Sequence, residues 1–160
     1  MSTHRPESPA FNIARDMRVA IVTAQWNGHI TSRLHDSAVQ TLASAGIPDD
    51  MIDSFDVPGA VELTFAASKL IDTGLYDVII VFGCVVRGGT PHFEYVCQSV
   101  TQGITHLNAE CDIPTIFGVL TVDNEQDALD RCGGAAGDKG AEAAQTAIQM
   151  FDFVQQTADL

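Results

Sequence analysis

Short β-branched runs alternate with helix-spaced segments along this chain, and that alternation most constrains what it can fold into. Arg18–Ala24, Ile52–Val57, Val78–Phe82 and a run within Ile113–Leu120 each read as a short buried strand. Between the first two, Leu34, Ala38, Leu42 and Ala45 share one face of a helix over 31–45, which Gly46 and Pro48 stop. Residues 60–71 have helical spacing closed by Gly74. Thr90 and Pro91 open a third helix, with Thr90 as N-cap and Pro91 at the first helical position. Asn124–Cys132 reads as a short helix, Gly133–Gly140 as a glycine-rich break, and Ala141 to about Gln155 as the final helix. Strands that alternate with helices imply right-handed crossovers and a parallel sheet covered on both faces. Ligands of such sheets bind outside the carboxyl ends of the strands. Four loops therefore become the candidate site: Gln25–Ile30, Val57–Glu62, Cys84–His92 and Thr121–Asn124. Residues 1–17, polar and carrying Pro6 and Pro9, read as an arm ahead of one domain over 18–160.

Composition narrows the partners. With 8 Lys plus Arg against 21 Asp plus Glu, the formal charge is −13, which argues against nucleic acid as a main partner and against docking on anionic lipid. Val78–Val86 is the longest apolar stretch, and a membrane span needs about 20 residues. The opening residues have no apolar segment of signal-peptide length. Cys84, Cys97, Cys111 and Cys132 form no C-x-x-C pair and no zinc spacing with histidine. The expectation is a cytoplasmic protein with no metal, in which Cys84 is a core residue.

Within the candidate loops, Gly88 and Gly89 let the backbone turn sharply, and the helix that follows offers free N–H groups to a phosphate or another anion. The segment is neither a Walker A loop nor a dinucleotide fingerprint, and its glycines could equally serve the turn alone. His92, in the first turn of that helix, could carry a proton or be a surface histidine. Arg131 and Lys139 flank the glycine-rich break, either as a surface pair or as cations that complete an anion site. Glu62 could accept hydrogen bonds from a polar heterocycle or only favour a helix dipole. Trp26 follows a strand end, where it is either core or a stacking platform. Phe117, inside the fourth strand, is core by default.

Five ordered stretches then resemble the 6,7-dimethyl-8-ribityllumazine synthase family: Val19–Asn27, Val57–Leu63, Gly83–Val96, Ile116–Thr121, and Glu125–Arg131 running into Gly137–Ala143. The resemblance covers nearly all of residues 18–150. It implies a flavodoxin-like, three-layer α/β/α sandwich with a four-stranded parallel sheet. It also implies condensation of 5-amino-6-(D-ribitylamino)uracil with 3,4-dihydroxy-2-butanone 4-phosphate, with no cofactor. By the same resemblance Trp26, Ala60, Val61, Glu62, Cys84, Val85 and Val86 form the pocket for the pyrimidine and its ribityl chain. Gly89 and Thr90 cradle phosphate, and His92 moves the proton. Phe117, Arg131 and Lys139 come from a neighbouring subunit, Phe117 facing the ring and Arg131 the phosphate. The expected partners are small-molecule substrates and further copies of the chain, as a homopentamer or a capsid of twelve pentamers, with riboflavin synthase as a further candidate. Many relatives carry phenylalanine at Trp26 and lysine at Ala135. The competing functions are a riboflavin synthase of the same fold and a non-catalytic flavin or lumazine carrier.

Overall fold

The fold is taken from a computed structural model that describes residues 16–158 and Leu160. The arm expected over 1–17, with Pro9, lies almost wholly outside those residues, and Met17 at its end is buried in the core. Four strands form one parallel sheet: β1 (Val19–Ala24), β2 (Ile52–Val57), β3 (Val78–Val86) and β4 (Thr115–Val122), in the order β2-β1-β3-β4. Helices α1 (Gly28–Ser44), α2 (Leu63–Asp72), α3 (His92–Glu110), α4 (Glu125–Leu129) and α5 (Lys139–Ala158) complete the layers. Side chains alternate across each strand. Val19, Ile21, Ile80, Phe82 and Leu120 therefore pack with α1 and α5. Ala20, Val22, Ile79, Val81 and Val119 pack with α2 and α3 on the other face. This is the expected three-layer sandwich.

Several boundaries differ from the sequence reading. β3 continues through Val86 instead of ending at Phe82, because Cys84, Val85 and Val86 pair with Leu120, Thr121 and Val122. Gly83, which read as the start of a loop, is an internal strand position pressed by Leu63 and Val119. The glycine-rich break is a hairpin, β5 (Cys132–Gly134) against β6 (Gly137–Asp138), and α5 begins at Lys139. α1 starts three residues earlier than its apolar spacing indicates, and Asn27 before it has a left-handed backbone, φ 58°. Thr90 makes no capping bond; Pro91 already has helical angles, φ −63° and ψ −2°.

One contact sets the depth at which α5 sits. A Cβ on Gly140 would stand 2.3 Å from the carbonyl oxygen of Leu34 in α1. That neighbour is backbone and cannot swing aside, so only glycine allows the helices to approach this closely. Gly140→Ala should destabilise the protein by about 2 kcal/mol or more in urea titrations. Gly28→Ala, which meets nothing within 4 Å, should change far less.

Candidate active site

Because all four strands are parallel, their carboxyl ends and the loops that leave them lie at one edge. The loop after β1 is held there by its backbone. Gln25 N–H donates to the Val57 carbonyl at 2.8 Å, and Trp26 N–H to the Pro58 carbonyl at 3.1 Å, so the β1–β2 ladder runs on past both strands. The Asn27 side chain donates to the Cys84 carbonyl at 2.8 Å and ties the same loop to β3. Thr31 Oγ1 donates to the Ala24 carbonyl at 2.8 Å. Trp26 is left 74% exposed, which excludes the core reading.

Trp26 and Glu62 converge on Gly59, where a Cβ would meet Glu62 Oε2 at 3.2 Å and Trp26 Cδ1 at 3.5 Å. Ala60 and Glu62 bound a single 3₁₀ turn in which Ala60 is buried while Val61 and Glu62 are exposed. Val85 and Val86 end β3 half-buried. Gly88, Gly89, Thr90 and His92 follow, all exposed. This part of the edge thus presents an indole, an exposed carboxylate, apolar walls, a glycine turn and an imidazole. It can stack on a flat ring, accept hydrogen bonds from it, and offer N–H groups and a proton carrier beside it.

Cys84 is poorly suited to act as a nucleophile. Burial pushes its thiol up to about 12, and the structure shows all four cysteines as free thiols. At neutral pH such a sulfur carries almost no thiolate.

Phe117, Arg131 and Lys139 belong to a different surface. They line a groove of about 840 Å³ along the open edge of β4, walled by α5 and the end of α3, with Glu142 and Phe153. Neither Trp26, Ala60, Glu62 nor His92 lines it. Phe117 is 42% exposed, contrary to its reading as core by default, because β4 is an edge strand with no strand beyond it among the described residues. The base of the hairpin joins the backbones of the two residues, since Lys139 N–H donates to the Arg131 carbonyl at 2.9 Å. Lys139 Nζ pairs with Glu142 at 2.7 Å. Arg131 donates to the Asp127 carbonyl at 2.6 Å and meets no carboxylate among the described residues. Ala135 lies at the exposed hairpin tip.

Two residues escaped the sequence reading as parts of this edge. Asn27 showed only as a loop signal, although it fixes the Trp26 loop to β3. Arg87, the remaining cation of the Gly83–His92 segment, is paired with Asp123 and Glu94. Its spacing gives no hint of those partners, which lie 36 and 7 residues away.

The fold is an open parallel α/β sandwich, the class in which ligands bind outside the carboxyl ends of the strands, where the candidate site lies. Comparison with known proteins gives the family. The family profile described as 6,7-dimethyl-8-ribityllumazine synthase matches residues 16–155. A 6,7-dimethyl-8-ribityllumazine synthase of Parabacteroides distasonis is 53% identical over 140 residues, 88% of each chain. Those of Phocaeicola vulgatus and Bacteroides fragilis are 50% and 49% identical, over 89% and 86% of this chain and 85% and 96% of theirs. The chain belongs to the 6,7-dimethyl-8-ribityllumazine synthase family, and it is an enzyme of that type in riboflavin biosynthesis. Neither the same-fold riboflavin synthase nor the carrier is favoured.

The state of Cys84 can be tested directly. A thiol reagent at pH 8 should leave it unmodified in the native protein and label it only after denaturation, as peptide mapping would show.

Proposed function

We propose that the chain condenses 5-amino-6-(D-ribitylamino)uracil with 3,4-dihydroxy-2-butanone 4-phosphate to give 6,7-dimethyl-8-ribityllumazine, phosphate and water. The observation that carries this reading is the gathering of Trp26, Glu62, the Gly88–Thr90 turn and His92 at one sheet edge of a chain in this family. The indole stacks on the pyrimidine, and the Glu62 carboxylate accepts from its N–H groups. Ala60, Val61 and Cys84–Val86 line the ring and the ribityl chain. Gly89 and Thr90 receive the phosphate at the start of α3. The amine that forms the imine belongs to the substrate, so no enzyme nucleophile is required. His92 transfers the proton as phosphate leaves and water is lost. Most of the rate gain comes from holding two reactants together, with modest acid–base help.

Phe117, Arg131 and Lys139 serve the site of a neighbouring copy. Two facts support this: they line a groove apart from the Trp26 edge, and Arg131 is the cation there without a carboxylate partner. Each site is then completed by self-association, as a pentamer or a capsid of such pentamers, in the cytoplasm. Riboflavin synthase, which uses the product, is the further partner. No helix among the described residues is long and apolar enough to cross a membrane.

Purified protein given both substrates should form the lumazine, followed by its absorbance. Conversion of lumazine alone to riboflavin would instead identify the same-fold riboflavin synthase. Sedimentation would give the native mass. His92→Ala should lower kcat by about tenfold to a thousandfold while KM changes little. In the same assay Arg131→Ala should raise KM for the butanone phosphate far more than KM for the pyrimidine, because a charge-assisted contact is lost.

A further inference from the structure

Arg87 follows β3, and its backbone N–H donates to the Val122 carbonyl at 2.9 Å, adding one bond to the β3–β4 ladder. Its side chain meets three groups. Nε donates to Asp123 Oδ1 at 2.8 Å, and Nη1 donates to Glu94 Oε1. The guanidinium carbon stands 4.1 Å from the centroid of the Phe93 ring. Asp123 follows β4, whereas Phe93 and Glu94 lie in the first turn of α3. One planar group therefore joins the end of the sheet to the start of the helix, with Gly88–Pro91 spanning between them.

That span has little else to hold it. At Gly88 and at Gly89 a Cβ would meet no heavy atom of the described residues within 4 Å, and Gly88–Pro91 are all exposed, so side-chain packing does little to fix the turn. Thr90 makes no capping bond. Free glycine backbone loses much entropy when it is ordered. The order of the turn must come from its two ends, and Arg87 holds both. The guanidinium fork directs donors at two separate carboxylates while its face stacks on a ring, an arrangement lysine cannot copy. The two carboxylates also neutralise the cation, so it is poorly suited to bind a phosphate itself.

We propose that Arg87 is a positioning residue for the condensation: by clamping Asp123, Glu94 and Phe93 it presets the Gly88–Pro91 turn and the His92 helix start, so that the phosphate-bearing substrate meets an ordered cradle. The inference rests on the reading of Gly89 and Thr90 as the phosphate site. Exposed ion pairs add little to global stability, so the clamp acts on the geometry of the turn and not on the fold.

The test compares the whole enzyme with Arg87→Ala, Arg87→Lys and Glu94→Gln. Measured for each are kcat, KM for both substrates, the inhibition constant of inorganic phosphate, and Tm. Arg87→Ala should raise KM for the butanone phosphate and the phosphate inhibition constant by about tenfold. KM for the pyrimidine should stay within about twofold and Tm should scarcely move, because no exposed pair here supports the core. Arg87→Lys should resemble Arg87→Ala, since charge without the fork does not rebuild the clamp. Glu94→Gln should weaken phosphate in the same direction. If Glu94→Gln tightened phosphate instead, Arg87 would be a phosphate ligand released from its partner, and the positioning role would be wrong. An unchanged phosphate constant in Arg87→Ala, or both KM values rising together with a fallen Tm, would also overturn it. Failure of inorganic phosphate to compete with the butanone phosphate on the unsubstituted enzyme would be a separate failure, that of the cradle assignment itself.

Discussion

Four parallel strands in register put every loop that runs from a strand into the next helix on the same side of the molecule, and the candidate site depends on that alignment. β1 is the pivot, bonded to β2 on one side and β3 on the other. Its ladder with β2 continues through Gln25 and Trp26, so the first loop is extended sheet edge for two further residues. Asn27 then takes a left-handed turn, and its side chain reaches across to β3. An indole held this way can stay exposed without being disordered. A buried indole would need neither the ladder extension nor the crossing bond.

The edge strand β4 imposes a second constraint. It is apolar and has no strand beyond it among the described residues, and its open side forms the groove that holds Phe117, Arg131 and Lys139. Gly118 is part of the reason that it is shaped so. A Cβ there would stand 2.5 Å from the Phe82 ring, so the strand yields its inward space to β3. Charge is distributed unevenly along this side of the protein. Lys139 is balanced by Glu142, whereas the Arg131 guanidinium meets only a carbonyl. In a chain with a formal charge of −13, Arg131 shares the lack of a carboxylate partner among the described residues only with Arg33.

How much of this the sequence disclosed depended on whether the deciding forces were local. Continuous Val/Ile runs marked the strands, and helical apolar spacing marked the α1 and α2 faces, because burial writes directly into residue type. The layer order and the ligand edge followed from alternation alone. The end of β3 was missed since Gly83 looks like a loop residue, and its glycine is needed for pressure from Leu63 and Val119, both distant in sequence. The hairpin at 132–138 was read as a break because strands of three and two residues carry no period. The exposure of Phe117 follows from strand order, which no local pattern encodes. The roles of Asn27 and Arg87 as ties between loops were hidden for the same reason. Their partners are set by the fold, while the residue types alone suggest a turn and a surface charge.

The hairpin between α4 and α5 has a consequence for how the protein can vary. Its root is fastened in four places: Lys139 N–H to the Arg131 carbonyl, Ala136 N–H to the Asp130 carbonyl, Ser37 Oγ to Asp138, and Asp138 to the Ala141 N–H of α5. Ala135, at the turn between the two strands, is exposed and makes none of these four bonds. Length and charge at the tip are thereby uncoupled from the placement of the two cations at the root. The turn is a natural point of insertion: a peptide joined between Gly134 and Ala135 interrupts none of the four fastenings, so Arg131 and Lys139 would keep their positions.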